Sequence, residues 1–229
     1  MTLLRVLTFW AFLSAAAPLW SGEPGPTTST SPPAGSPARS RVVILGDSIT
    51  AGYGLDDPAK AYPRVLQTKI DQAGLQFEIA NAGVSGDTTA GGLRRVDWTL
   101  SRGAAVFIVA LGGNDGLRGL SPEQTEANLR AIIKRAREKA PAAAVIVAGM
   151  QMPDSMGPDY TGKFREVFPR VAHDTNAALI PFLLEGIGGD PAFNQADGIH
   201  PNPAGHQCVA DNVWKILEKT LRENANSQR

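Results

Sequence analysis

From about Arg41 onward the chain alternates between short apolar runs and longer stretches of helical character. The β-rich runs are Val42–Leu45, Phe77–Ala80, Val106–Leu111, Ala144–Ala148 and Ala178–Phe182. Between them the pattern predicts helices over Ala59–Ala73, Thr89–Ser101, Pro122–Ala140 and Asp159–Asn176, with a last one from Pro203 to about Arg222. The third opens on Ser121-Pro122-Glu123-Gln124, a serine cap with proline at the first helical position and glutamine at the third. Strands that read as continuous apolar runs suit a parallel sheet covered on both faces. The expected fold is α/β, a three-layer α/β/α sandwich around five parallel strands. Ligands in such sheets sit at the carboxyl ends of the strands, so the residues just after each strand are where chemistry belongs.

The N-terminal segment has a different character. Arg5 precedes an apolar run, Val6 to Trp20, and polar residues follow. That order reads as a secretory signal or an uncleaved signal anchor over residues 1–22. The run falls short of the ~20 apolar residues of a comfortable spanning helix. Residues 23–40 are rich in Pro, Gly, Ser and Thr and bury almost nothing, the composition of a disordered linker. Residues 41–229 remain as one folded domain, of ordinary size for a single core. A periplasmic or secreted protein is expected, with membrane proximity if the signal is retained. Without residues 1–40 the chain has 20 basic and 21 acidic side chains. That balance offers no electrostatic reason to bind nucleic acid. The single cysteine, Cys208, excludes an internal disulfide and a cysteine-type zinc site, and it reads as a buried residue of the last helix.

Four polar, glycine-containing blocks fall at the strand ends. They are Gly46-Asp47-Ser48, Asn81 to Asp87 (NAGVSGD), Gly112-Gly113-Asn114-Asp115 and, before the last helix, Asp197-Gly198-Ile199-His200-Pro201. Ser48 stands between a strand and a helix, where it is either a helix cap or a nucleophile. Serine needs a general base to attack. Of the three histidines, His173 lies in a polar helical stretch and His206 inside the last helix, while His200 lies in a loop. Asp197, three residues before it, can meet the second ring nitrogen and fix the tautomer. The Ser48 N–H, the Gly86 N–H and the Asn114 amide are candidate donors to an oxyanion; one such donor is worth ~3–4 kcal/mol of barrier. Asp47, Asp87 and Asp115 crowd the same loops, but no H-x-H or H-E-x-x-H spacing accompanies them. Capping or loop bracing accounts for them, and no metal is expected. G-x-S-x-G and G-x-G-x-x-G are both absent, which leaves Ser85 as a reserve nucleophile and argues against an α/β-hydrolase elbow or a dinucleotide site.

Together these blocks resemble the SGNH hydrolases, also called GDSL esterases. The match is Ser48 in GDSITAGYG, Gly86 in NAGVSGDT, Asn114 in LGGNDGLRG and His200 in DGIHPN, with Asp197 at the position of the third triad member. The wording from about Arg41 to Leu217 is similar to the bacterial periplasmic branch with thioesterase, arylesterase and lysophospholipase activities. The resemblance implies a flavodoxin-like fold, a triad of Ser48, His200 and Asp197, an oxyanion hole of Ser48, Gly86 and Asn114, and no cofactor. The implied substrate is a small acyl ester or thioester, and a monomer is expected. Two other readings use the same residues: a carbohydrate or peptidoglycan O-acetylesterase, and a secreted acyl-ligand binding protein without catalysis.

Overall fold

The structure, a computed structural model, describes residues 39–227. The signal or anchor over residues 1–22 and the linker up to residue 38 lie outside the described residues. Five strands form one sheet: β1 (Ser40–Gly46), β2 (Phe77–Gly83), β3 (Val106–Ala110), β4 (Ala144–Ala148) and β5 (Ala178–Ile180). Their order is β2-β1-β3-β4-β5 and every neighbouring pair is parallel. This is the flavodoxin-type doubly wound order, in which the chain reverses direction across the sheet between β1 and β3.

Among the described residues seven α-helices accompany the sheet: α1 (Ser48–Ala51), α2 (Tyr62–Gln72), α3 (Thr89–Thr99), α4 (Gly113–Leu117), α5 (Pro122–Lys139), α6 (Pro158–Asp174) and α7 (Pro203–Ser227). Helices α2 and α7 pack on each other in one layer; α3, α5 and α6 pack side by side in the other. All five residues of β3 are buried, as are Val42, Val43, Ile44 and Leu45 of β1. Helix α5 turns Leu129, Ile132, Ile133 and Ala136 inward, the i, i+3, i+4, i+7 spacing of one apolar stripe. Each fully buried Leu, Ile or Val contributes roughly 1.5–3 kcal/mol.

The sequence reading differs from the structure where local chemistry overrides periodicity. The helix expected over 59–73 is broken. A single 3-10 turn, Pro58–Lys60, ends at an extended Ala61, and α2 then starts with Pro63 in its first turn. Proline has no N–H to continue a helix from the preceding turn. β5 stops at Ile180, not Phe182, because Pro181 cannot donate to the ladder. Helices α1 and α4 are too short for a periodic signal and are new. Ser40 already belongs to β1, and Arg39 bonds Asp71 at 2.8 Å, so the fold begins slightly before Arg41. Cys208 is only partly buried.

The pairing register controls what reaches the site. Gly46 lies opposite Gly83 on one side and Ala110 on the other, so β1, β2 and β3 end level. Helix α1 then folds directly over the end of β2. A Cβ on Gly83 would lie 2.3 Å from the Ala51 nitrogen, which is backbone and cannot rotate away. Gly83→Ala is expected to lower the stability by about 1–3 kcal/mol through overpacking. A urea unfolding series with unchanged m-value and a lower midpoint is the anticipated result; an unshifted midpoint would contradict it.

Candidate active site

Asp47 and Ser48 follow β1 without a spacer. Asp47, not Ser48, caps α1: its Oδ1 accepts from the Ile49 N–H at 3.1 Å. That leaves the Ser48 hydroxyl available. It lies 2.9 Å from His200 Nε2. His200 Nδ1 in turn lies 2.6 Å from Asp197 Oδ2. The carboxylate can only accept, so Nδ1 carries the proton and the Nε2 lone pair faces the hydroxyl. Asp197 Oδ1 also accepts from the backbone N–H groups of Ile199 at 2.9 Å and His200 at 3.0 Å. These bonds, the His200 N–H foremost, hold the Asp197 carboxyl down at about 2.

The loop carrying Asp197 and His200 is pinned to the loop after α1. The Gln195 N–H donates to the His200 carbonyl at 2.8 Å, and Asn194 bridges to Pro201. Gln195 Nε2 donates to the carbonyls of Tyr53 at 2.8 Å and Pro201 at 3.0 Å. The Tyr53 ring lies against the imidazole, with centroids 4.8 Å apart. Neither Gln195 nor Tyr53 was among the expected site residues, although Tyr53 lies inside the GDSITAGYG block.

Gly86 and Asn114 converge on the same edge. Gly86 has a φ of +77°, in the left-handed region, and a Cβ there would meet only the end of Arg118, at 3.7 Å. Conformation, not crowding, therefore calls for glycine at this position. The Asn114 amide donates to the Asp87 carbonyl at 3.0 Å and stands 3.5 Å from Asp47 Oδ2. Ser85 is exposed, outside the relay. His173 is exposed on α6 beside Asp174.

The three crowding aspartates have separate partners. Asp115 is buried and accepts from the Thr89 N–H at 2.8 Å and the Thr89 hydroxyl at 2.5 Å, bracing the Asn114 turn against α3. Asp87 pairs with Arg95 at 2.7 Å, while Thr88 is the cap of α3. Asp47 is 2% exposed, and burial pushes its carboxyl up to about 6 against the lowering pull of the Ile49 N–H.

An apolar cleft of about 430 Å³ opens beside the relay. Its lining includes Ile49, Gly113 and Ile199, the chain neighbours of Ser48, Asn114 and His200, together with Leu117, Met152 and Phe182.

Residues 44–208 match the GDSL-like lipase/acylhydrolase family. The chain belongs to that family. Esterase TesA of Pseudomonas aeruginosa is 40% identical over 185 residues, covering 80% of this chain and 90% of that one. Thioesterase 1/protease 1/lysophospholipase L1 of Escherichia coli is 35% identical over 189 residues, covering 82% and 88%. The crystal structure of the psychrotrophic esterase EstA from Pseudoalteromonas sp., inhibited by monoethylphosphonate, superposes with a TM-score of 0.74 at 32% identity, covering 80% of this chain and 99% of that one. Like other members of the family, this chain is a serine ester hydrolase.

A second histidine supports the turn that carries Ser48. His206 of α7 is 1% exposed, and its Nδ1 accepts the Tyr62 N–H at 3.2 Å. The Tyr62 hydroxyl lies 2.8 Å from Thr50 Oγ1 in α1. Burial lowers His206 to about 4, with the nearby His200 adding to the shift. Protonation at Nδ1 would remove the acceptor. Because the folded value lies below the ordinary ~6.5, the unfolded chain binds the extra proton first. The contribution is complete above about pH 6.5 and is lost as the pH falls towards 4. The stability difference between the wild type and His206→Gln should therefore grow with pH across this window in denaturant titrations; a difference that is flat with pH would refute it.

Proposed function

We propose that Ser48 is the nucleophile, His200 its general base and Asp197 the group that orients and stabilises the imidazolium. The observation that carries this reading is the continuous relay from Asp197 through His200 to Ser48, at 2.6 Å and 2.9 Å. In the first step His200 takes the Ser48 proton while Oγ attacks the acyl carbonyl. The Ser48 and Gly86 N–H groups and the Asn114 amide receive the oxyanion. Protonated His200 then donates to the leaving alcohol or thiol. Water, deprotonated by His200, releases the acid from Ser48 and restores the relay. None of these steps calls for a cofactor.

The cleft supports acyl esters and thioesters with tails longer than acetyl as substrates. Its walls are mostly apolar, with Gln151 and Asp154 among them, and Ile49 beside Ser48 belongs to the lining, so an acyl chain can leave water as its carbonyl meets Ser48. The names of the relatives, esterase and thioesterase 1/protease 1/lysophospholipase L1, agree with this class. An O-acetylesterase would have no use for such walls. With p-nitrophenyl esters of increasing length, the wild type should prefer medium acyl chains over acetate. Ser48→Ala should abolish turnover while the protein stays folded, and Asn114→Ala should lower kcat by ~100–1,000-fold. Full activity in Ser48→Ala would discard the nucleophile assignment, and a preference for acetate would favour the O-acetylesterase.

We also propose that residues 1–22 act as an export signal or anchor and residues 23–38 as a linker, which makes the enzyme periplasmic or secreted. No helix among the described residues is long and apolar enough to cross a membrane. Fractionation of cells expressing the full chain should recover the protein outside the cytoplasm; recovery only in the cytoplasm would overturn the reading.

A further inference from the structure

Arg95 lies on α3, outside every block that carries the proposed chemistry, yet its side chain bonds to two of them. Its Nε donates to Asp87 Oδ2 at 2.7 Å, one Nη to the Ala82 carbonyl at 2.7 Å and the other Nη to the Gly46 carbonyl at 2.8 Å. Gly46 ends β1, two residues before Ser48. Ala82 stands at the end of β2. Asp87 follows Gly86 in the oxyanion loop. The side chains of Arg95 and Asp87 are 18% and 12% exposed, so water screens the pair only partly.

We infer that Arg95 is a positioning residue, one guanidinium that fixes the nucleophile strand and the oxyanion loop relative to each other. The inference rests on the proposed roles of Ser48, Gly86 and Asn114. The planar fork suits this task, because its N–H groups diverge at fixed angles and reach three acceptors at once. Asp87 carries the effect onward: its own carbonyl accepts the Asn114 amide at 3.0 Å. Both loop-borne oxyanion donors are thereby tied, through Asp87, to the group that holds the end of β1. Local sequence is fitted to the arrangement. A Cβ on Gly91 would lie 1.6 Å from Asp87 Oδ1, so only glycine lets that carboxylate fold back over the first turn of α3 towards Arg95.

A lysine at position 95 keeps the charge but reaches fewer acceptors. The nucleophile and the oxyanion donors should then lose their mutual register, and a misplacement of about 1 Å costs ~100-fold in rate. Arg95→Lys is expected to lower kcat for p-nitrophenyl butyrate by about 10–100-fold with KM within about twofold, and to slow phosphonylation by a fluorophosphonate by the same factor. Arg95→Ala should be slower still, and millimolar guanidinium should restore part of its kcat. Arg135→Ala is the control for a general loosening of α3, because Arg135 holds Asp97 on the same helix with bonds of 2.8 Å and 2.9 Å away from the site. Its kcat should match the wild type. If Arg95→Ala does not fold, Arg95→Lys decides alone; if neither folds, Asp87→Asn, which leaves both carbonyl contacts in place, decides by the same kcat and phosphonylation readouts. A folded Arg95→Lys, Arg95→Ala or, where it decides, Asp87→Asn with kcat within twofold of the wild type overturns the inference, as does a loss in Arg135→Ala equal to that in Arg95→Lys. Ser48→Ala, assayed alongside, separates the two levels: an active Ser48→Ala removes the proposed nucleophile, whereas an inactive one beside a fully active Arg95→Lys removes only the role of Arg95.

Discussion

The hydrogen-bonded register of β1 between β2 and β3 is the constraint on which the site depends. Because Gly46 is level with Gly83 and Ala110, the residues that follow all three strands emerge side by side. A slip of one residue would move Ser48 by about 3.3 Å along the sheet and turn its neighbours to the opposite face. The buried runs of β1 and β3 forbid that slip, since it would exchange one packed face for the other. Packing of the core and alignment of the site are thus the same requirement, met by the same apolar residues.

Beyond the strands, the site is assembled from contacts that no single loop contains. The Asp197–His200 loop is a local unit, closed by its own backbone N–H groups. It meets Ser48 because Gln195 ties it to the Tyr53 carbonyl and because α7 carries the loop back to α1 and α2. The Asn114 turn is braced by Asp115 against Thr89, and the Gly86 loop by Asp87 against Arg95. Each brace is a polar group at least partly withdrawn from water and satisfied by a specific partner. Such bonds resist displacement because breaking one leaves a desolvated donor or acceptor unpaired.

Two carboxylates flank the Ser48–His200 pair, and their environments differ. Asp197 is partly solvated and accepts two backbone N–H groups and the imidazole, which stabilises its charge. Asp47 is buried with a single close N–H donor, and its charge is disfavoured. In the proposed mechanism the first holds the histidine that becomes positive. The second caps the helix that presents the serine, a role that one accepted hydrogen bond fulfils.

The sequence by itself determined the sheet, its parallel sense and the layers that cover it, because continuous apolar runs and helical periodicity are local properties. It also offered Ser48, Gly86, Asn114, Asp197 and His200 as a candidate site, because polar blocks recur at the ends of the predicted strands. Shorter features escaped it: one-turn helices such as α1 and α4 have no period to read, and Pro63 and Pro181 shifted boundaries by a hydrogen bond they cannot make. Which side chains stand behind the site was decided by tertiary structure alone. Arg95, Gln195, Tyr62 and His206 look like ordinary surface or core residues in the chain. Their partners lie 144 positions away for the Tyr62–His206 bond and 142 for Gln195 to Tyr53, and only the folded sheet brings such groups within hydrogen-bond distance.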